Sequence, residues 1–185
     1  MASSLATPVS GGIRSFGRPR INRGPSKILA ISAPWILVML GSLSPVWPLI
    51  ASGPLVPPFG FLLLVIWQQL RPGLFPVWAG LPLGLFDDLL SGQPFGSAVM
   101  LWSAAMILLD VFEARFPWRS IVFNWLVASI LTVSYLAAAA WLAGASGPQM
   151  LTLMPQAMLS ILACPALALL VSMTDRFRLI PIRKR

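Results

Sequence analysis

The hydrophobic positions of this chain fall in long runs, and its polar residues gather in the gaps between them. The runs cover residues 28–50, 55–70, 74–90, 96–112, 121–142 and 150–173. Most approach or exceed the roughly 20 apolar residues that cross a bilayer as a helix. In lipid a helix satisfies its own backbone, so each run is read as helical. Pro57-Pro58 suits the first turn of the second run, and Arg71-Pro72-Gly73 reads as the turn that closes it. Pro34, Pro45 and Pro48 interrupt the first run, which membrane helices tolerate. Trp35 and Trp47 lie near its ends, as interfacial aromatics do. The second and third runs are short. They either cross the membrane or pair as a re-entrant hairpin, and both arrangements leave the chain termini on the same side.

Composition agrees with this pattern. Of 185 residues, 57% are hydrophobic and only 10% charged, against about 25% charged in soluble domains. The expected fold is all-α: one bundle of about six transmembrane helices over residues 28–174, with a basic disordered arm at 1–27 and a second basic tail at 175–185. No internal repeat divides it. The apolar run after Lys27 is long and ends on no small-residue cleavage pattern, which argues against a signal peptide.

Charge then supplies an orientation. The net charge is +8, from 13 Lys and Arg against 5 Asp and Glu. With six crossings, every basic residue falls on the side of the two tails, and the opposite turns at 51–54, 89–95 and 143–149 hold none. Positive residues mark the cytoplasmic side, so both termini are expected in the cytoplasm. The basic residues flank apolar runs without an aromatic-interleaved patch. Anionic lipid headgroups therefore explain them better than nucleic acid does.

Candidate chemistry is sparse. The chain has no histidine and one cysteine, Cys164, inside an apolar run. A histidine triad is excluded, the usual transition-metal sites are unavailable, and no metal or other cofactor is expected. The unusual stretch is Trp67 to Gly96, which places Gly, Pro and acids where an anchor would carry leucine. A charge at membrane depth costs about 2.5–3.5 kcal/mol on insertion scales, so Asp87 and Asp88 are functional candidates. On a helix Gly80, Gly84, Asp87 and Ser91 share one face, and Gly80, Gly84, Asp88 and Gly92 the adjacent ridge. Small residues at that spacing admit a neighbouring helix closely. The two acids are open to three readings: a wetted position at the helix end, a structural bond to a neighbouring helix, or a ligand or proton site. Asp110 and Glu113 read as an interfacial charge cluster, Asn124 and Gln156 as polar links between helices, and Cys164-Pro165 as a kink.

The segment RPGLFPVWAGLPLGLFDDLLSGQPFG resembles the signature region of the bacterial rod shape-determining MreD family. The similarity rests on Arg71, Pro72, Gly84, Leu85, Asp88, Leu89, Leu90, Ser91, Gly92, Pro94 and Gly96. Phe95 stands where the family more often has leucine, and Pro82 and Asp87 are less usual. The resemblance implies a non-enzymatic scaffold of the cell-elongation machinery in the inner membrane. Its partners would be MreC directly, and MreB, RodA and a peptidoglycan transpeptidase indirectly. It also implies a fold similar to the substrate-binding S-components of energy-coupling-factor transporters. That supplies the alternative of a small-molecule transport subunit, which would need a pocket of converging polar groups. The outer-side turns offer little beyond Ser52, Ser91, Gln93, Ser146 and Gln149.

Overall fold

The computed structural model describes residues 27–44, 56–116 and 120–178, and every regular element among them is helical. In chain order these are α1 (Lys27–Ser42), α2 (Phe59–Leu70), α3 (Gly80–Ser91), α4 (Ser97–Arg115), α5 (Ile121–Leu142), the short α6 (Gly147–Leu151) and α7 (Met154–Arg178). A 3-10 turn at Val77–Ala79 leads into α3. The basic arm before Lys27, the end of the first run with Pro45, Trp47 and Pro48, the turn at 51–54, Arg119 and the tail from 179 lie outside the described residues.

Three stretches are long and apolar enough to cross a membrane: Ser97–Arg115, Ile121–Leu142 and Gly147–Phe177. Their outer surfaces carry the residues that lipid would cover, among them Ile107, Ile121, Ile130, Leu162 and Leu169, each at least half exposed.

Helix α2 sits at the centre. Its 12 residues give a rise of about 18 Å, well short of the roughly 30 Å hydrocarbon core. Every residue from Gly60 to Gln69 is buried, and α2 packs against α1, α4, α5 and α7. A helix that is apolar all round belongs inside a protein or a membrane, and here protein surrounds it on all sides. Pro58 precedes its first turn as expected, and its carbonyl accepts from Leu62 N at 3.0 Å.

Two helix pairs approach at glycine. Gly41 of α1 lies against Gly60 of α2, where a Cβ on Gly41 would come within 2.9 Å of Gly60 N. The α3–α4 pair meets at two glycines one turn apart. A Cβ on Gly80 would lie 2.8 Å from Ser103 Cα, and one on Gly84 would lie 2.8 Å from Val99 Cα.

An aromatic core fills the centre. Phe61 stacks on Tyr135 with ring centroids 4.3 Å apart, and Trp102 meets the same Phe61 edge-on at 5.9 Å. Trp35 lies in the middle of α1 and packs on Phe75 and Trp78, with ring centroids 5.6 and 6.0 Å away.

The C-terminal boundary also differs. The second tail was expected to start at Asp175, but α7 continues to Arg178 and Asp175 is buried within it. The reason is a partner 104 positions earlier in the chain. Arg71 donates to Asp175 Oδ2 from Nε at 2.9 Å and from a terminal nitrogen at 2.6 Å. The third run is likewise shorter than expected, because Pro72 and Gly73 extend the turn and Val77–Ala79 forms a separate 3-10 turn before α3 begins.

Candidate functional site

The turn between α3 and α4 brings the unusual residues together. Helix α3 ends at Ser91, with Gly92 as its cap at φ 67°. Helix α4 begins after Gly96, at φ 92°. These left-handed conformations are readily open only to glycine, and they fold the chain back within a few residues. Pro94 lies at the surface of the turn, and its carbonyl accepts from Ser97 N at 3.0 Å.

A helix leaves its first backbone N–H groups without internal partners, and a side chain at the cap position usually takes one of them. Gly96 has no side chain to offer. Asp88, one helix earlier, does the work instead. Its carboxylate accepts from Gly96 N at 2.9 Å, Ala98 N at 2.9 Å and Val99 N at 3.2 Å, and from Ser97 Oγ at 3.3 Å. Ser97 N is taken by Pro94, so the opening turn of α4 is fully paired. The negative charge also faces the positive end of the α4 dipole. Asp88 is 5% exposed, so the wetted-position reading fails for it and the structural-bond reading holds.

Gly80 and Gly84 make this possible. They let α3 lie directly on the α4 backbone, which sets Asp88 at hydrogen-bonding distance from the α4 N-terminus. The close-packing face read from their spacing is therefore occupied within the chain itself.

Asp87 points elsewhere, as adjacent helical positions must. It is 7% exposed and faces Tyr135 of α5, whose hydroxyl donates to Oδ2 at 3.5 Å, long against the about 2.8 Å typical of such bonds. Ser42 of α1 faces Asp87, and Trp102 and Gln93 face the Tyr135 hydroxyl. Neither Ser42 Oγ nor Trp102 Nε1 completes a hydrogen bond among the described residues. The result is a buried polar centre joining α1, α3, α4 and α5. Its members other than Asp87 were not recognised in the sequence. Ser42, Trp102 and Tyr135 each look ordinary in an apolar run, and only folding collects them.

The remaining candidates separate from this site. Arg71 and Pro72 lie at the other end of α2, where Leu74 N closes the turn onto Arg71 O at 3.1 Å. Ser91 is half-buried, and its hydroxyl has no partner among the described residues. Ser146 and Gln149 are absorbed in capping α6, with Ser146 N donating to Gln149 Oε1 at 2.9 Å. Gln156 donates to Val56 O at 2.7 Å, in the segment before α2 rather than on a neighbouring helix. Asn124 shows no link between helices at its Oδ1, which is buried with no partner among the described residues. Asp110 is exposed on α4. Among the described residues no group of three or more acids or thiols converges as metal ligands would.

No family model, no curated protein and no solved structure matches the chain.

Proposed function

We propose that this protein is a non-enzymatic scaffold of the bacterial cell-elongation machinery. It would be a six-helix protein of the inner membrane with both termini in the cytoplasm, holding MreC and, through it, MreB, RodA and a peptidoglycan transpeptidase. The resemblance of residues 71–96 to the MreD signature supports this reading. The observation that carries it is the use of Asp88. The acid of that signature is fully committed to bracing α3 against α4, so the segment acts as a rigid frame. The mechanism is differential binding: the frame favours one state of a bound partner, and no bond is made or broken.

The test is binding of MreC to the full chain reconstituted in lipid nanodiscs. MreC is expected to bind the wild-type chain and to bind the Asp88→Ala variant more weakly. Equal binding to both would remove Asp88 from the reading, and no binding to either would remove MreC.

A small-molecule transport subunit is the second reading. The buried centre of Asp87, Tyr135, Ser42 and Trp102 favours it, because polar groups with incomplete hydrogen bonds inside a bundle are what a ligand would satisfy.

A further inference from the structure

Contacts between helices fix their relative heights at the end of the bundle where α4 stops and α5 starts. Phe116, directly after α4, meets Phe123 of α5 with ring centroids 6.2 Å apart, so these two positions are level. From that level α5 is apolar at once. Ile121, Val122 and Leu126 are exposed, and the helix carries no charged residue from Ile121 to Leu142.

Helix α4 differs. Asp110 is exposed, and it lies six positions before Phe116, about 9 Å further in. It also lies seven positions after Ser103, on the same side of α4. That side receives Gly80, the first residue of α3. Asp110 therefore stands beneath the foot of α3. The foot is itself set back, because Ser103 precedes Arg115 by twelve positions, about 18 Å of helix.

The chain leading to this foot is unsuited to hydrocarbon. Pro72, Gly73, Val77 and Trp78 are exposed, and the N–H groups of Gly73 and Val77 have no partner among the described residues. Arg71 is 49% exposed beside Asp175. Irregular backbone facing lipid leaves its polar groups unmet and does not occur within the hydrocarbon. An exposed carboxylate such as Asp110 is disfavoured there as well. Trp78, 61% exposed, suits the headgroup level.

We propose that the membrane boundary is stepped at this end of the protein. Beside α5 the hydrocarbon reaches Ile121. Beside α3 and α4, water and lipid headgroups reach Asp110 and residues 71–78, about 9 Å further in. The apolar part of α4, from Ser97 to Leu109, is then about 20 Å tall, against a hydrocarbon core of roughly 30 Å. The bilayer thins beside α3 to match it, an adjustment lipids make at modest cost. The step requires only that the chain lies in a membrane, and it stands whether or not the scaffold reading does.

Nitroxide labels in lipid bilayers test it. Cys164→Ala removes the one native cysteine, and single cysteines then replace Val77, Val111 or Leu126 in the full chain. All three positions are exposed, so a label there leaves the core undisturbed. Collision with oxygen reports hydrocarbon, and collision with a water-soluble nickel chelate reports water. Leu126 lies three positions from Phe123, and Val111 five from Phe116, so a flat boundary would make Leu126 the wetter of the two. The opposite order is expected in dioleoylphosphatidylcholine. The nickel-to-oxygen ratio should be several-fold higher at Val111 and Val77 than at Leu126. Ratios at Val111 and Val77 equal to or below that at Leu126 would overturn the step. In longer-chained dierucoylphosphatidylcholine the nickel access at Val111 should fall, because lipid tails then cover more of α4. Unchanged access would mean a wet pocket walled by protein, and would overturn the thinned bilayer.

Discussion

Asp88 and Asp87 share a sequence context and differ completely in use. Asp88 accepts four hydrogen bonds at the α4 N-terminus, and Asp87 turns to Tyr135 on α5. Losing a capping carboxylate costs about 0.5–2 kcal/mol, and here three backbone donors lose their acceptor in a buried place. Asp88→Ala is therefore expected to destabilise the protein by about 2–4 kcal/mol. Asp88→Asn, which keeps an acceptor oxygen and loses the charge, should fall between that variant and wild type. Thermal unfolding in detergent measures both, and an unchanged midpoint for Asp88→Ala would contradict the capping role. The Arg71–Asp175 pair gives a second expectation. Arg71 is half exposed, so solvent screens the pair and a double-mutant cycle with alanine at both positions should give a coupling of about 1 kcal/mol. The sequence marks Asp87 and Asp88 as unusual but leaves their roles open, because the difference comes from α4 and α5 rather than from α3. It gives no sign of the Arg71–Asp175 pair, whose members are 104 positions apart. Asp175 looks like the first residue of a solvated basic tail until Arg71 is placed beside it.

The α3–α4 pair shows how far spacing reaches. Gly80 and Gly84 one turn apart announce a close helix contact, and the contact exists. Spacing alone does not say whether the neighbour is another chain or the next helix. The short turn through Gly92 and Gly96 decides it by folding α4 directly onto that face. A Cβ at Gly84 would meet the α4 backbone, which cannot move aside as a flexible side chain can. Gly84→Ala is expected to cost about 1–3 kcal/mol, and Gly84→Leu should separate α3 from α4 and release the Asp88 cap. Unfolding midpoints of Gly84→Ala and of the double variant with Asp88→Ala test the connection. The double variant should lose less than the sum of the two single losses, because both act on one junction. Helix α2 teaches the opposite lesson. Its run of apolar residues is plain in the sequence, yet nothing in it tells lipid-facing from protein-facing sides. Only the four surrounding helices reveal that a 12-residue element is core. An acid inside it, as in Leu64→Asp, is expected to prevent folding, seen as loss of monodisperse protein on size exclusion in detergent.

At the scale of the molecule, three stretches long and apolar enough to cross a membrane pack with shorter helices, of which α2 is the core. Among the described cations Lys27 opens α1, Arg71 follows α2, Arg115 ends α4, and Arg176 and Arg178 lie in the last turn of α7. The scaffold proposal requires this frame to hold a partner of the cell-elongation machinery. The most direct measurement is a mild-detergent pull-down of the tagged protein from its native membrane, with partners identified by mass spectrometry. Recovery of MreC together with elongation synthases is expected. Recovery of a coupling membrane protein with paired ATPases, and no MreC, would contradict it and would make the Asp87–Tyr135 centre the place to look for a substrate.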